Sequence, residues 1–321
     1  MPALLPLLGQ ALGRDLAADE RLGIAVSGGP DSMALLWLAH AELPGRILAL
    51  TVDHRLRTES AAEAALVAGH CAALGIDHRT LVWEGDRPAT GVAAAARAAR
   101  YGLLAAACRD AGAGLLLTGH HADDQAETLL MRLARGAGVT GLGGMRAARR
   151  LADGVILVRP LLGVRRAELA AIVAAAGWPQ VADPSNDDEG QLRIRARRLL
   201  ASADWLPPDA LATAAANLAD AEAALAWAAE RAWAGAAAVD GDGLWLDAAD
   251  LPGELRNRLV RRALAQLMPD AAPRGPEVTA LLAVLARGGT ATLAGVRASG
   301  RDGRWCFRRA PPRLHARGKV S

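Results

Sequence analysis

Leu22-Gly23-Ile24-Ala25-Val26-Ser27-Gly28-Gly29-Pro30-Asp31-Ser32 runs from a short apolar segment into a glycine-bearing loop, and a helical stretch from Asp31 to Leu43 follows directly. An apolar run, a glycine turn and a helix in that order make an anion site. Glycines let the backbone approach an anion closely, and the free N–H groups at the start of the helix point at it together with the positive end of the helix dipole. Ser27 and Ser32 add hydroxyl donors. A lone Gly-Gly before a helix would be read as a tight turn capped by Asp31; the strand context and the six-residue pattern favour a phosphate loop. Ser27, Gly28, Gly29, Pro30, Asp31 and Ser32 are therefore the candidate phosphate-binding residues. The loop is not of the Walker type, because no Gly-Lys-Ser/Thr follows and Lys319 is the sole lysine of the chain. An aspartate inside an anion loop is unfavourable unless a cation shares the site, which assigns Asp31 to Mg²⁺ held against the phosphates.

Working outward, apolar runs at 22–26, 47–52, 78–83, 115–118 and 155–158 alternate with helical stretches at 31–43, 60–74, 92–110, 123–135 and 165–176. Strand and helix in regular alternation predict an α/β domain with a parallel sheet and helices on both faces. Ligands of such sheets bind beyond the carboxyl ends of the strands, and there this chain carries Ser27 to Ser32, Asp53 to Arg57 and Gly119 to Glu127. After Trp178 the rhythm changes. Asp183 to Asn186 reads as a turn-rich loop, Arg193 begins a basic helix, and Trp205 to Pro208 marks a boundary between a catalytic domain at 1–204 and a smaller, mainly helical domain at 205–321. In the latter, Leu211, Leu218, Leu225 and Ala232 recur every seven residues, predicting an amphipathic helix over 209–234, and 292–308 reads as a hairpin.

The 321 residues are enough for two domains. The formal net charge is +3, but the charge is unevenly spread. Arg193, Arg195, Arg197 and Arg198 form one cluster, and Arg297, Arg301, Arg304, Arg308, Arg309, Arg313, Arg317 and Lys319 are opposed only by Asp302. Both suit phosphates, and Trp305 and Phe307, interleaved in the second, suggest stacking on nucleic-acid bases, a pattern that an alternating Arg/apolar hairpin on a small domain also gives. Three scattered cysteines without a Cys-x-x-Cys pair suggest neither a disulfide framework nor a zinc or iron–sulfur site, which fits a cytoplasmic location. The apolar start, Met1 to Leu16, lacks a basic leader and is broken by Pro2, Pro6 and Gly9, so it reads as a docking helix and not an export signal. Apolar stretches elsewhere are cut by charges before reaching the roughly 20 residues a bilayer crossing needs.

His120-His121-Ala122-Asp123-Asp124-Gln125-Ala126-Glu127-Thr128 opens the helix after the fourth strand, where helical spacing is expected to put His120, Asp124 and Glu127 on one face. Such a group binds a metal, or cages an ammonium while its carboxylates orient and deprotonate an amine. Acids at a helix start also complement the macrodipole, but two histidines and three acids exceed what capping needs.

The Ser-Gly-Gly-x-Asp-Ser loop resembles that of the N-type ATP pyrophosphatases, and His-His-x-Asp-Asp-Gln-x-Glu-Thr resembles the signature of the tRNA(Ile)-lysidine synthases within that superfamily. Val52-Asp53-His54-Arg55-Leu56-Arg57, Ala96-Arg97-Ala98-Ala99-Arg100-Tyr101, Arg159-Pro160-Leu161-Leu162 and Asp183-Pro184-Ser185-Asn186 are similar to further segments of the family, in its order. One departure is Ile194, where the family usually has asparagine after the first of two arginines; Arg193 and Arg197 keep the spacing. The resemblance implies adenylation of the C2 oxygen of the wobble cytidine in the CAU anticodon of an isoleucine tRNA, release of pyrophosphate, and displacement of AMP by the ε-amine of free lysine. It also implies catalytic roles for Asp31, His120, Asp124, Arg193 and Arg197, a contribution of Arg97 to ATP binding, recognition of lysine by Asp124 and Glu127, and tRNA contact by residues 205–321. Neither a membrane nor a protein partner is implied. Adenylating enzymes that thiolate cytidine typically need paired cysteines, which this chain lacks.

Overall fold

The computed structural model describes residues 2–55, 60–85, 90–151, 154–178, 191–248, 250–301 and 303–311. The expected turn at Asp183 to Asn186, together with Leu56, Arg57, Asp302, Arg313, Arg317 and Lys319, lies outside the described residues. The chain divides into two compact units, Met1–Asp220 and Ala221–Ser321.

In the first unit, helix α1 (Leu4–Leu12) precedes β1 (Leu22–Ala25), α2 (Pro30–Glu42), β2 (Ile47–Asp53), α3 (Ser60–Ala73), β3 (Asp77–Val82), α4 (Val92–Asp110) and β4 (Leu115–Leu117). Next come α5 (Ala122–Leu133), α6 (Val139–Leu142), β5 (Ala148–Arg150), β6 (Ile156–Val158), α7 (Arg166–Ala176), α8 (Gln191–Ser202) and α9 (Pro208–Ala236), which continues into the second unit. The six strands lie in the order β3-β2-β1-β4-β6-β5. Every pairing is parallel except β5 with β6. The sheet is thus parallel as expected but carries an antiparallel edge strand. Ala148-Arg149-Arg150 has no apolar alternation to reveal it, as is common for a short charged edge.

Alternate residues of the strands feed two cores. Leu22, Ile24, Ile47, Ala49, Leu115 and Leu117 pack beneath α1, α2 and α7, while Leu48, Leu50, Leu116 and Leu157 meet Leu104 and Cys108 of α4 on the opposite face. Gly23 permits the second contact, since a Cβ there would lie 2.3 Å from Cys108 Sγ. The expected docking helix is α1. Leu4 and Leu8 are fully buried, and its first N–H groups, on Leu4 and Leu5, donate to the Glu42 carboxylate at 2.6 and 2.9 Å.

The second unit adds β7 (Ala237–Asp240), β8 (Gly243–Asp247), α10 (Gly253–Leu267), α11 (Gly275–Ala286), β9 (Thr290–Leu293), β10 (Val296–Arg301) and β11 (Arg304–Arg309). The expected hairpin is part of a five-stranded antiparallel sheet, β7-β8-β11-β10-β9, with α10 and α11 sharing its core. Trp305 and Phe307 are 2% and 0% exposed in that core, so the expected stacking of these rings on nucleic-acid bases does not hold. Their positions alternate with Arg304 and Arg308, and strand periodicity sends the rings inward and the arginines outward.

Candidate active site

The Ser27–Ser32 loop leaves the carboxyl end of β1 and enters α2 with Pro30 at the first helical position, where its missing N–H costs nothing. Gly28 has φ 86°, a conformation glycine adopts without strain. The loop is braced from within. Ser27 N–H donates to Ser32 Oγ at 3.1 Å, Ser32 Oγ donates to the Gly29 carbonyl at 2.9 Å, and the two serine hydroxyls lie 3.2 Å apart. No side chain caps the N-terminus of α2, so the helix presents its first N–H groups without an internal acceptor from the cap residue.

Gly119, just beyond β4, fits closely against the loop: a Cβ there would stand 2.8 Å from the Asp31 carbonyl oxygen. This approach sets Asp31 beside the start of α5. Asp31 Oδ2 lies 3.4 Å from His121 Nε2, and its Oδ1 is buried with no hydrogen-bond partner.

Helix α5 begins at Ala122, with His121 as its N-cap. His120 therefore precedes the helix and does not share a helical face with Asp124 and Glu127, contrary to expectation. Its Nδ1 lies 2.9 Å from Thr118 Oγ1. Burial and the charges of Arg159, Arg100, Arg97 and Arg193 push its pKa down to about 3, so the ring is neutral at neutral pH. His121 is the histidine that meets the carboxylates. Asp124 N–H donates to its Nδ1 at 3.4 Å, His121 N–H donates back to Asp124 Oδ2 at 3.2 Å, and Nε2 faces both Asp31 and Asp124. Burial favours the neutral ring, but the hydrogen bond to Asp31 and the charges of Asp124, Asp31 and Asp123 outweigh it and raise the pKa. The capping box signals His121 in the sequence, as a side-chain acceptor three residues before an acid.

Glu127 is buried, and α8 supplies its partners. Arg193 Nε donates to Oε2 and Arg197 Nε donates to Oε1, each at 2.7 Å, while Arg193 Nη2 also lies 3.6 Å from Asp124 Oδ1. The structure thus joins Asp31 to Asp124 through His121, and Asp124 to Glu127 and Arg197 through Arg193. It also occupies the Glu127 carboxylate, expected to recognise lysine together with Asp124, with two guanidinium groups.

Two cavities meet at this cluster. One of about 620 Å³ is lined by Ser27, Gly29, Pro30, Asp31, Ser32, Arg97, His120, Asp124 and Arg193, which makes it large enough for a nucleotide-sized ligand. A smaller one of about 260 Å³ is lined by His121, Asp123, Glu127 and Arg197. Asp31 and Asp124 line both.

The PP-loop domain family matches residues 8–203. A tRNA(Ile)-lysidine synthase from Novosphingobium aromaticivorans is 49% identical over 298 residues, covering 92% of this chain and 91% of that protein. The chain belongs to the tRNA(Ile)-lysidine synthase family. Another member, from Zymomonas mobilis, is 42% identical with 92% of this chain and 90% of that protein covered. Among solved structures, a U34-tRNA thiolase from Methanococcus maripaludis is similar in fold, with a TM-score of 0.57 at 15% identity over 68% of this chain and 78% of that one. The match to the PP-loop domain family spans the loop after β1, and the cluster built on that loop is the candidate active site.

Proposed function

We propose that this chain uses ATP to adenylate the C2 oxygen of the wobble cytidine in the CAU anticodon of an isoleucine tRNA, releasing pyrophosphate. The ε-amine of free lysine then displaces AMP to give lysidine. The observation that carries this reading is the wall formed by Asp31 and Asp124 between the two cavities. One chamber serves the nucleotide and the activated base, the other admits the amine, and the two acids stand where the ligands meet.

In the larger cavity, Ser27, Ser32 and the backbone N–H groups of Gly28, Gly29, Asp31 and Ser32 bind the triphosphate, and Arg97 adds positive charge. The Asp31 Oδ1 atom, buried and unpartnered, suits a cation, and Mg²⁺ needs only one or two carboxylates beside phosphate oxygens. Mg²⁺, when bound, neutralises phosphate charge and improves the leaving group. His120, held neutral, lines the same cavity without repelling the arginines. Asp124 accepts a proton from the attacking lysine, and Glu127 holds Arg193 and Arg197 in place behind it. An anticodon loop is single-stranded, so exposing its cytidine costs little.

Residues 205–321 contact the tRNA in this reading. The outward face of the second sheet supports that role: its register sets Arg297 opposite Arg308 and Arg301 opposite Arg304. Like charges directly opposed destabilise a sheet, and a polyanion relieves them. The cytoplasm is the proposed location. Among the described residues no helix is long and apolar enough to cross a membrane.

The test is incubation with ATP labelled in the α- and γ-phosphates, tRNA and lysine. Pyrophosphate that appears only with tRNA, and AMP that appears only with both tRNA and lysine, support the proposal; ADP and inorganic phosphate contradict it.

A further inference from the structure

The buried ring of Tyr101, on α4, is surrounded by guanidinium groups. The Cζ atoms of Arg97, Arg100 and Arg149 stand 5.3, 5.2 and 5.7 Å from its centroid. Arg97 Nη2 reaches the phenol oxygen at 3.5 Å, and Arg159, just beyond β6, lies beside the same hydroxyl. Among the described residues none of the four arginines makes a salt bridge. Arg159 is 5% exposed, and although its Nη1 donates to the Arg146 carbonyl, its Nε is buried with no hydrogen-bond partner. Contact with one aromatic ring relieves part of the repulsion among these cations but leaves their charge uncompensated. Such a cluster costs stability in the free protein and is relieved by an anion.

We propose that Tyr101, Arg100, Arg149 and Arg159 form a second oxyanion site, which grips a phosphodiester of the tRNA backbone beside the nucleotide being modified. The assignment rests on the tRNA-modifying reading above. Arg97 and Arg100 line the larger cavity, so the site opens onto the reaction chamber. Its far side is remote from the phosphate loop. β5, which carries Arg149, is separated from β1 by β4 and β6, an offset of roughly 14 Å at about 4.8 Å per strand. Arg149 is exposed on that edge strand, where an extended polyanion entering from solvent meets it. The N-terminus of α2 and the two serines already serve a triphosphate, whereas a folded RNA presents phosphates on both sides of the base it inserts. Burial favours a neutral Tyr101, yet the charges of Arg100, Arg97 and Arg159 lower its pKa, a measure of how positive this wall is.

The experiment uses the full chain with unmodified tRNA, reading tRNA affinity at several salt concentrations and ATP affinity without tRNA. Arg149→Gln alters an exposed side chain and leaves folding intact. It is expected to weaken tRNA binding about 5- to 10-fold and to reduce the slope of log K against log salt by about 0.7–0.9, with ATP affinity unchanged. Arg159→Gln is expected to act in the same direction and more strongly, with its circular dichroism checked against the parent. Loss of ATP affinity with tRNA binding unchanged would assign the site to the triphosphate and overturn the proposal. Parental behaviour of Arg149→Gln in both measurements would reduce the cluster to packing and overturn it too. If the unaltered protein binds tRNA but releases no pyrophosphate with tRNA and lysine, the reaction assignment fails independently of this site.

Discussion

Replacing Glu127 with glutamine tests the bridge between α5 and α8. The side chain keeps its shape and loses the charge that holds two arginines contributed from 66 and 70 residues away. Removing one partner of a fully buried pair costs about 3–5 kcal/mol, because the remaining charge is stranded. Glu127 is 5% exposed, but Arg193 and Arg197 are 23% and 36% exposed and regain some hydration. The amide also retains one acceptor oxygen. The expected loss is therefore about 2–3 kcal/mol, below the range for a fully buried pair. Urea unfolding reads it as a lower midpoint with an unchanged slope. A double-mutant cycle with Arg197→Met should give a coupling above about 1 kcal/mol, since the two side chains share one bond network. Because Arg193 also lines the larger cavity, pyrophosphate release and lysine transfer should fall together. A variant within about 0.5 kcal/mol of the parent, or strict additivity with Arg197→Met, would refute the reasoning. Selective loss of lysine transfer would mean that the carboxylate meets lysine itself.

Three further outcomes follow from the geometry. Asp31→Ala should fold normally and lower pyrophosphate release by at least about 10²-fold, measured with labelled ATP, since it removes one of the two acids shared by both cavities. Gly119→Ala should impair the same step, because the new Cβ would sit 2.8 Å from the Asp31 carbonyl and force the loop and β4 apart; kinetics and stability both at parental values would show that this contact is loose. Cys71 and Cys108 are fully buried, and burial pushes both thiols up to about 11. N-ethylmaleimide at neutral pH should therefore spare them in the folded protein and label them in urea, as mass spectrometry of the peptides would record; rapid labelling of the native chain would contradict the packing of α3 and α4.

The sequence by itself determined the alternation of strand and helix, the phosphate loop after β1 and the acidic start of α5. Each is written in residues adjacent along the chain: a period of two or 3.6 in apolar positions, a glycine where the backbone turns, a cap before a helix. It did not reveal β5, whose three residues carry no pattern, or the inward direction of Trp305 and Phe307, which depends on the face that α10 and α11 cover. Only the tertiary structure decided that His121, and not His120, meets Asp31, that Glu127 is occupied by Arg193 and Arg197, and that arginines from α4, β5 and the end of β6 converge on Tyr101. Apart from those of Arg97 and Arg100 with Tyr101 on one helix, these pairings join residues far apart in sequence, and close packing of helices on a twisted sheet sets them, because a shift of one helical position turns a side chain by about 100° and exchanges its neighbours.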